Sequence, residues 1–168
     1  MRGELAEAIA TATAQAMEAA RIATAEAARA TRTETAREVR RVRTDAAVVA
    51  RLTRVGDDED LREPFTLDHD SGILIYALGE ATDSELNDYA WIEEATTGRS
   101  VWRMTYGDTE HAGGAEKNRV TEEIIRLDAG DYVLRYRSDD SHSFENWNST
   151  APPDAENYGV TLYLLGSR

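Results

Sequence analysis

Two patterns of hydrophobic and polar positions divide the chain near residue 55. Residues 1–55 place small apolar residues three and four positions apart, with charged residues on the opposite face, which is the spacing of an α-helix. Residues 56–168 contain short apolar runs separated by turn-forming residues, which is typical of β-strands. The pattern predicts an α+β protein, with a long N-terminal α-helix followed by an antiparallel β-sandwich of jelly-roll or Greek-key type.

The helical half repeats with a period of eleven residues. Arg21, Arg32 and Arg43 share one column of the repeat. Eleven residues complete three turns, so one face of small residues stays aligned along the helix. Small side chains bury little apolar area, and a helix of this length would span about 75 Å, so we expect its partner to be the same helix of another chain. The predicted homo-oligomer interface consists of Leu5, Ile9, Thr13, Met17, Ala20, Thr24, Ala28, Val39, Val42 and Val49.

Other interpretations of this helix stay open. It can pack on parts of a longer protein that this sequence lacks, or lie on a membrane surface, although that role requires bulkier apolar residues. Thr13, Thr24 and Thr35 also resemble the threonine repeat of alanine-rich type I antifreeze proteins over residues 5–36, from which the arginines after Arg29 depart. Self-association is the interpretation that the small-residue face favours.

The charge of the chain changes sign between its two halves. Residues 1–55 carry 10 basic and 7 acidic residues, whereas residues 56–168 carry 9 basic and 25 acidic residues, and the whole chain has a net charge of -13. This charge argues against a nucleic-acid partner. There is no cysteine, which excludes disulfides and thiolate metal sites. The N-terminus has no apolar stretch strong enough for a membrane span or a signal peptide, so we expect any export signal to precede this chain.

Seven segments of the second half have the composition of strands. A tight hairpin is predicted at Thr97 and Gly98, with Trp91 and Trp102 as core or cross-strand packing residues rather than ligand platforms. The boundary between the halves, residues 54–64, contains a glycine, an acidic run and a proline, as expected of a linker. The predicted strands are residues 63–67, 72–78, 88–95, 100–106, 119–127, 131–137 and 158–165. Without helical segments between them, they predict an antiparallel fold in residues 56–168.

The run LDAGDYVL, residues 127–134, has the spacing of a tyrosine corner, in which the Tyr132 hydroxyl bonds to backbone a few residues upstream. Together with FTLDHDSGILIYALGE, residues 65–80, it resembles the bacterial pre-peptidase C-terminal (PPC) domains over residues 62–165. This resemblance implies a jelly-roll-like sandwich that serves as an extracytoplasmic accessory module, sometimes with calcium, and implies no catalysis.

Two runs depart from that family. TEHAGGAEKNR, residues 109–119, and SDDSHSFENWNSTAPPD, residues 138–154, look more like bacterial exported sandwich proteins. The resemblance therefore favours an extracytoplasmic or secreted location and carries no catalytic residue over to this chain.

Three acidic stretches are dense enough in carboxylates to hold calcium, which prefers six to eight oxygen ligands. They are residues 56–60, 68–72 and 138–146. Asp139, Asp140 and Glu145 are the preferred ligands, because they begin a loop that must be held in shape. The alternative is that these acids are solvated or cap turns.

Residues 138–154 are predicted to form an ordered loop rather than a strand, because Pro152 and Pro153 prevent pairing. Trp147 is the candidate for contact with a glycan or other ligand. Ser141, His142 and Asp140 are sequence neighbours and cannot stack as a catalytic triad, so no enzyme is expected. Three hypotheses remain. The first is a non-catalytic structural or interaction protein displayed on an oligomerising stalk. The second is a calcium-dependent glycan- or surface-binding accessory module, and the third is an enzyme accessory domain separated from its catalytic part.

Overall fold

The computed structural model describes residues 2–165, and their side chains except those of residues 2–10, 28, 31–36, 38 and 42. The helix α1 comprises Arg2–Asp45. The strands of the described range are β1 (Ala47–Thr53), β2 (Asp60–Leu67), β3 (Ser71–Thr82), β4 (Glu85–Glu94), β5 (Ser100–Arg103), β6 (Glu110–His111), β7 (Asn118–Leu127), β8 (Gly130–Arg137) and β9 (Gly159–Leu164). Residues 2–41 form one compact unit and residues 42–165 another. The prediction of an N-terminal helix followed by predominantly antiparallel β-structure is confirmed.

The strands form two antiparallel sets. The first sheet has the order β1-β9-β3-β7-β6, and the second has the order β2-β8-β4-β5. The end of β3 also pairs with the start of β4, around a turn in which Asp83 and Ser84 both have positive φ angles. This hairpin joins the two sheets, and Tyr136 of the second sheet donates a hydrogen bond of 2.7 Å to the Leu78 carbonyl of the first.

In the β-domain, residues 47–165, buried side chains alternate along β4 and β8, whereas β3 and β9 are buried on both faces. Each strand has a period of two, so the inward residues of neighbouring strands meet one another. The residues with no exposed surface include Ile73, Ile75, Ala77, Ala90, Ile92, Leu134, Tyr136, Tyr158, Val160 and Leu162. This core fixes the strands that carry the candidate site.

The prediction that residues 1–55 form one helix was wrong for the C-terminal end of this segment. The helix ends at Asp45, and Ala47–Thr53 pairs with β9 as strand β1. Valine and threonine are β-branched and favour strands once a partner strand supplies backbone hydrogen bonds. Val49 was predicted in the helical interface, but it lies on β1. The eleven-residue repeat continues beyond the end of the helix at Asp45. The repeat describes only the spacing of side chains, so it does not indicate which residues pair with another strand.

The described side chains of the predicted helical interface are mostly exposed in this chain. Thr13, Met17, Ala20 and Thr24 are exposed, and Met17 has 69% of its surface accessible. Val39 is buried. The predicted interface residues Leu5, Ile9, Ala28 and Val42 lie outside the described side chains.

Every predicted strand overlaps an observed one, and β1 and β6 were not predicted. The tyrosine corner is confirmed, since Tyr132 Oη donates a hydrogen bond of 2.9 Å to the Asp128 carbonyl. The tight hairpin is also present, with Gly98 at a φ of 67°. Local turn chemistry was therefore readable from sequence.

Within the unit of residues 42–165, Arg43 contacts Tyr76 and Asp154. Its guanidinium lies 3.3 Å from the centre of the Tyr76 ring and donates a hydrogen bond of 2.8 Å to Asp154. Tyr76 Oη donates to the same carboxylate oxygen at 2.8 Å. The hydrogen bonds from Arg43, Asn157 and Tyr76 lower the pKa of Asp154 against the opposing effect of burial. This contact holds one end of the 138–154 loop.

Candidate metal centre

Three carboxylates meet where the hairpin joins the two sheets. Glu80 lies near the end of β3, Asp88 lies in β4, and Asp139 begins the loop after β8. One carboxylate oxygen of each residue lies within 4.8 Å of the others, which is about twice a calcium–oxygen distance. We call these three residues the carboxylate cluster. One ion can therefore reach all three side chains.

Gly79 allows the two strands to approach this closely. A Cβ atom at this position would lie 2.2 Å from the Asp88 carbonyl oxygen, which is far inside van der Waals contact. A side chain at residue 79 would therefore push β4 away from β3. The cluster depends on this glycine because the neighbouring Glu80 and Asp88 are directly paired across the strands.

Hydrogen bonds hold Asp88 and Asp139 in place. Asp88 Oδ1 accepts a hydrogen bond of 2.8 Å from the Asp139 backbone N–H, and Oδ2 accepts one of 2.6 Å from Tyr158 Oη. Asp139 Oδ1 accepts a bond of 3.0 Å from the Ser141 N–H. The start of the 138–154 loop is thus attached to β4 through the cluster.

Glu80 is the least satisfied member of the cluster. Lys117 Nζ lies 2.6 Å from Glu80 Oε1 and also donates a hydrogen bond of 2.6 Å to Asn148 Oδ1. The residue is only 2% exposed, yet its Oε2 atom has no hydrogen-bond partner. A buried polar atom without a partner costs free energy, so this oxygen requires an explanation.

The electrostatics of the cluster favour the uptake of positive charge. Burial raises the pKa of Asp88 to about 7, although the Tyr158 hydroxyl and the Asp139 N–H oppose this effect. Burial also raises the pKa of Glu80, against the opposing effect of Lys117. Three carboxylates share a single lysine, so the cluster retains excess negative charge when ionised. A proton or a metal cation would neutralise that charge.

The donor set is that of a hard cation. Carboxylate oxygens suit calcium and magnesium, and calcium accepts irregular arrangements completed by water or backbone carbonyls. His142 is fully buried, and its ring nitrogens face the side-chain oxygens of Asn148 at 3.0 Å and Asn118 at 2.6 Å. Burial and the charge of Lys117 lower the pKa of His142. This histidine therefore connects two loops and does not belong to the carboxylate cluster.

Asn118 is the centre of the contact between those two loops. Its Nδ2 donates to the carbonyls of Gly113 at 2.7 Å and Thr150 at 3.0 Å, so its Oδ1 must accept from His142 Nε2. The runs at residues 109–119 and 138–154, which depart from the PPC pattern, thus pack on each other. Lys117 extends this contact to the cluster through Asn148 and Glu80.

Only one of the predicted calcium ligands belongs to the cluster. Asp139 does, whereas Asp140 and Glu145 are exposed and outside it. Glu145 has a φ of 67°, as expected of a turn residue. Trp147 packs edge-on against His142 and Tyr158 at ring distances of 5.1 and 5.0 Å, so it anchors the loop. Its contact with a ligand stays a prediction.

The other two acidic stretches stabilise turns. Asp57 accepts hydrogen bonds from Ser143 and Asn146, which lower its pKa. Asp70 accepts a hydrogen bond of 2.9 Å from the Ala129 N–H. The alternative interpretation of these acids as turn caps thus describes both residues.

Sequence reasoning missed Glu80, Asp88 and Lys117. Glu80 ends the apolar run GILIYALG, residues 72–79, and an acid that continues such a run is a detectable signal of a buried charge. Asp88 directly precedes the apolar run YAWI, residues 89–92, and gives the same signal. Nothing in the local pattern indicates that these two side chains meet Asp139.

Among the described residues, no helix combines the length and apolar character that crossing a membrane requires. The chain matches no protein-family model, and comparison with curated proteins and with solved structures finds no match either. The resemblance to PPC domains therefore stays a prediction.

Proposed function

We propose that this protein is a non-catalytic interaction module, a β-sandwich of jelly-roll or Greek-key type whose 138–154 loop is held by a bound calcium ion. The ion binds Glu80, Asp88 and Asp139, and water or backbone carbonyls complete its coordination. The protein acts by presenting a stiffened surface to a partner. Its proposed location is extracytoplasmic, where calcium is abundant enough to saturate sites of modest affinity.

The unpartnered Oε2 atom of Glu80 is the observation that carries this proposal. The atom is buried in a residue that is only 2% exposed, and Glu80 belongs to the carboxylate cluster. Lys117 occupies only the other oxygen of this carboxylate. A cation among the three carboxylates gives Oε2 a partner and offsets their mutual repulsion.

Calcium fits this site better than magnesium or zinc. Magnesium requires nearly ideal octahedral geometry and loses its waters reluctantly, whereas calcium accepts carboxylates that approach from separate strands and a loop. Zinc prefers imidazole and thiolate ligands, and His142 directs both ring nitrogens to asparagine side chains. The loop gains stability from the ion because Asp139 is its second residue.

A thermal melt with calcium and with a chelator tests the proposal. An ion that binds only the folded chain stabilises it by about 2.7 kcal/mol at 100 times its Kd, or roughly 5–10 °C in Tm. Asp88→Asn and Glu80→Gln should abolish this shift. Asp140→Asn is the matched control, because Asp140 is an exposed neighbour outside the cluster.

Titration calorimetry with calcium and then with magnesium measures the same site directly. We expect one calcium per chain and weaker binding of magnesium. The proposal fails if calcium leaves the Tm of the unmodified protein unchanged, or if Asp88→Asn responds to calcium as strongly as Asp140→Asn does.

A second candidate function is the display of the β-domain on a self-associating helix. All described side chains of residues 11–27 are exposed, including Met17 at 69% and Ile22 at 49%. Isolated helices are marginally stable in water, and burial against a second copy would stabilise this one. The expected assembly is a homo-oligomer through the predicted face.

Light scattering on the full chain measures this assembly. Ala20→Glu places a charge on the predicted face and should lower the oligomer mass, whereas Ala19→Glu adds the same charge off that face and should not. A monomeric full chain at high concentration would contradict the stalk while leaving the calcium site untested by that result.

A further inference from the structure

The outward side of the second sheet carries a line of arginines. Strand register places Arg62 of β2 opposite Arg135 of β8, Arg135 opposite Trp91 of β4, and Trp91 opposite Arg103 of β5. Residues directly opposite one another on neighbouring strands share a face of the sheet. Arg137 and Tyr89 form a second opposed pair, two residues along β8 and β4, and hence on the same face. We call these six residues the arginine face.

The arginine face is accessible to a partner. Arg62, Arg103 and Arg137 are exposed. Neighbouring strands lie about 4.8 Å apart, so the line from Arg62 to Arg103 extends over roughly 14 Å. The face thus crosses four strands.

The guanidinium groups are arranged around two aromatic rings. Arg103 lies 4.6 Å from the centre of the Tyr89 ring, and Arg135 lies 5.2 Å from that of Trp91. Arg135 also forms ion pairs with Asp60 at 2.8 Å and Glu93 at 3.7 Å. These contacts hold Arg135 and Arg103 in defined positions at the ring faces.

This concentration of positive charge is unexpected in so acidic a chain. Residues 56–168 contain 9 basic and 25 acidic residues, and four of the nine bases lie on this face. Arg62 and Arg135 are directly opposite each other, and like charges in that position destabilise a sheet. Asp60, which lies opposite Arg137, and Glu93 offset this repulsion through their ion pairs with Arg135. Arg62, Arg103 and Arg137 remain exposed to an anionic partner.

We propose that the arginine face binds a linear polysaccharide built from uronic acids. Guanidinium groups form paired hydrogen bonds with carboxylates, and the apolar faces of sugar rings pack against aromatic side chains. A uronic-acid chain presents a carboxylate on each ring. Its carboxylates can therefore contact the line of arginines while a sugar ring contacts Trp91 between them. This inference names the ligand class of the interaction module proposed above and rests on that proposal, but it does not require the calcium ion.

Two other anionic partners fit the face less well. Peptides bind sheets mainly by adding a strand at an edge or by filling a groove, and this surface is the flat side of the sheet. Nucleic acid has a denser charge, and the chain as a whole carries -13, which opposes binding to a phosphate backbone. A polyuronate has fewer charges per unit length and offers apolar ring faces between them.

Titration calorimetry with an oligogalacturonate in calcium-free buffer tests the inference, with the fully methyl-esterified oligomer as a neutral control of the same shape. We expect the acid to bind, the ester not to bind, and the affinity for the acid to fall as salt is raised. The double variant Arg62→Gln, Arg103→Gln should weaken binding at least about fivefold. Arg126→Gln, at an exposed position of β7 in the other sheet, is the matched control and should bind normally.

The inference is overturned if the acid and the ester bind alike, if neither binds, or if Arg126→Gln loses as much affinity as the double variant. It is also overturned if polyglutamate or a short DNA duplex binds the same face more tightly than the oligogalacturonate. The buffer lacks calcium, so the two proposals can fail separately. If the glycan binds but calcium does not change the Tm, only the calcium proposal is contradicted. If calcium raises the Tm but the glycan does not bind, only glycan binding by the arginine face is contradicted.

Discussion

The carboxylate cluster and the arginine face are two charged regions of one domain with opposite surroundings. Glu80 and Asp88 are 2% and 0% exposed, so few water molecules screen their charges. Arg62 and Arg103 lie at the surface, where water and salt weaken each interaction. The cluster has fewer charges than the arginine face, but we expect each of its charges to affect the free energy of unfolding more strongly.

This difference shows that burial decides what a charge does in this protein. A buried carboxylate must find a proton, a lysine or a metal ion, so the cluster couples folding to ligand binding. An exposed arginine needs no partner to fold and remains free to bind one. Substitutions should therefore have large effects on stability at the cluster and small ones at the arginine face.

The largest effect is expected from Gly79→Ala. The added Cβ would lie 2.2 Å from the Asp88 carbonyl oxygen, so β4 must move and the cluster must open. We expect a loss of about 3 kcal/mol or more in the free energy of unfolding, measured by denaturant titration. Gly107→Ala is the control, since its Cβ would meet no atom within 4 Å, and it should change stability by less than about 0.5 kcal/mol. Equal stabilities of the two variants would show that the strands are not in close contact.

The pH dependence of stability is expected to be an effect of comparable size. Burial raises the pKa of Asp88 from 3.8 to about 7, so the folded state holds a proton that the unfolded state has lost between these values. Without calcium, the contribution of Asp88 to the free energy of unfolding should be greatest below pH 4. It should fall by up to ~1.4 kcal/mol per pH unit until about pH 7.

Asp88→Asn should lack this component of the decline, and saturating calcium should remove it by replacing the proton. Denaturant titrations at several pH values, compared between the two proteins, measure the difference. Parallel pH profiles with and without the Asp88 carboxylate would contradict the predicted shift in its pKa.

Lys117→Met should have a smaller effect, and it should change calcium affinity and calcium-free stability in opposite directions. The ammonium group lies 2.6 Å from Glu80 Oε1 and opposes any cation that binds the same carboxylate. Its removal should tighten calcium binding by about tenfold or more while lowering the stability of the calcium-free protein. Calorimetry on Lys117→Met and on Lys117→Arg, which keeps the charge, measures the two effects. Weaker calcium binding in the methionine variant would show that Lys117 supports the site instead of competing for it.

The smallest effect on stability is expected at the arginine face. Arg62→Gln and Arg103→Gln remove exposed charges for which no carboxylate contact is described, so each should change the free energy of unfolding by less than about 0.5 kcal/mol. Arg62→Gln should be neutral or slightly stabilising, since it relieves repulsion from Arg135. A loss above 2 kcal/mol in either variant would mean that these arginines serve the fold.

The sequence by itself determined the features that depend on local spacing. Alternation of apolar residues located the main strands, LDAGDYVL identified the hydrogen bond of Tyr132 to the Asp128 carbonyl, and Gly98 located a tight turn. These features were predictable because the interacting groups are within a few residues of one another. The sequence also predicted that residues 138–154, which include Asp139, form a loop and not a strand.

Only the tertiary structure decided which distant residues meet. Residues 47–53 became a strand because β9 lies beside them, although their spacing continues a helical repeat. Glu80 and Asp88 join Asp139 through the pairing of β3 with β4 and a loop that follows β8. Arg62, Arg103 and Arg135 align only through the register of four strands. Side-chain periodicity specifies which face of a strand is buried, but the choice of neighbouring strand and its register is made by packing of the whole core.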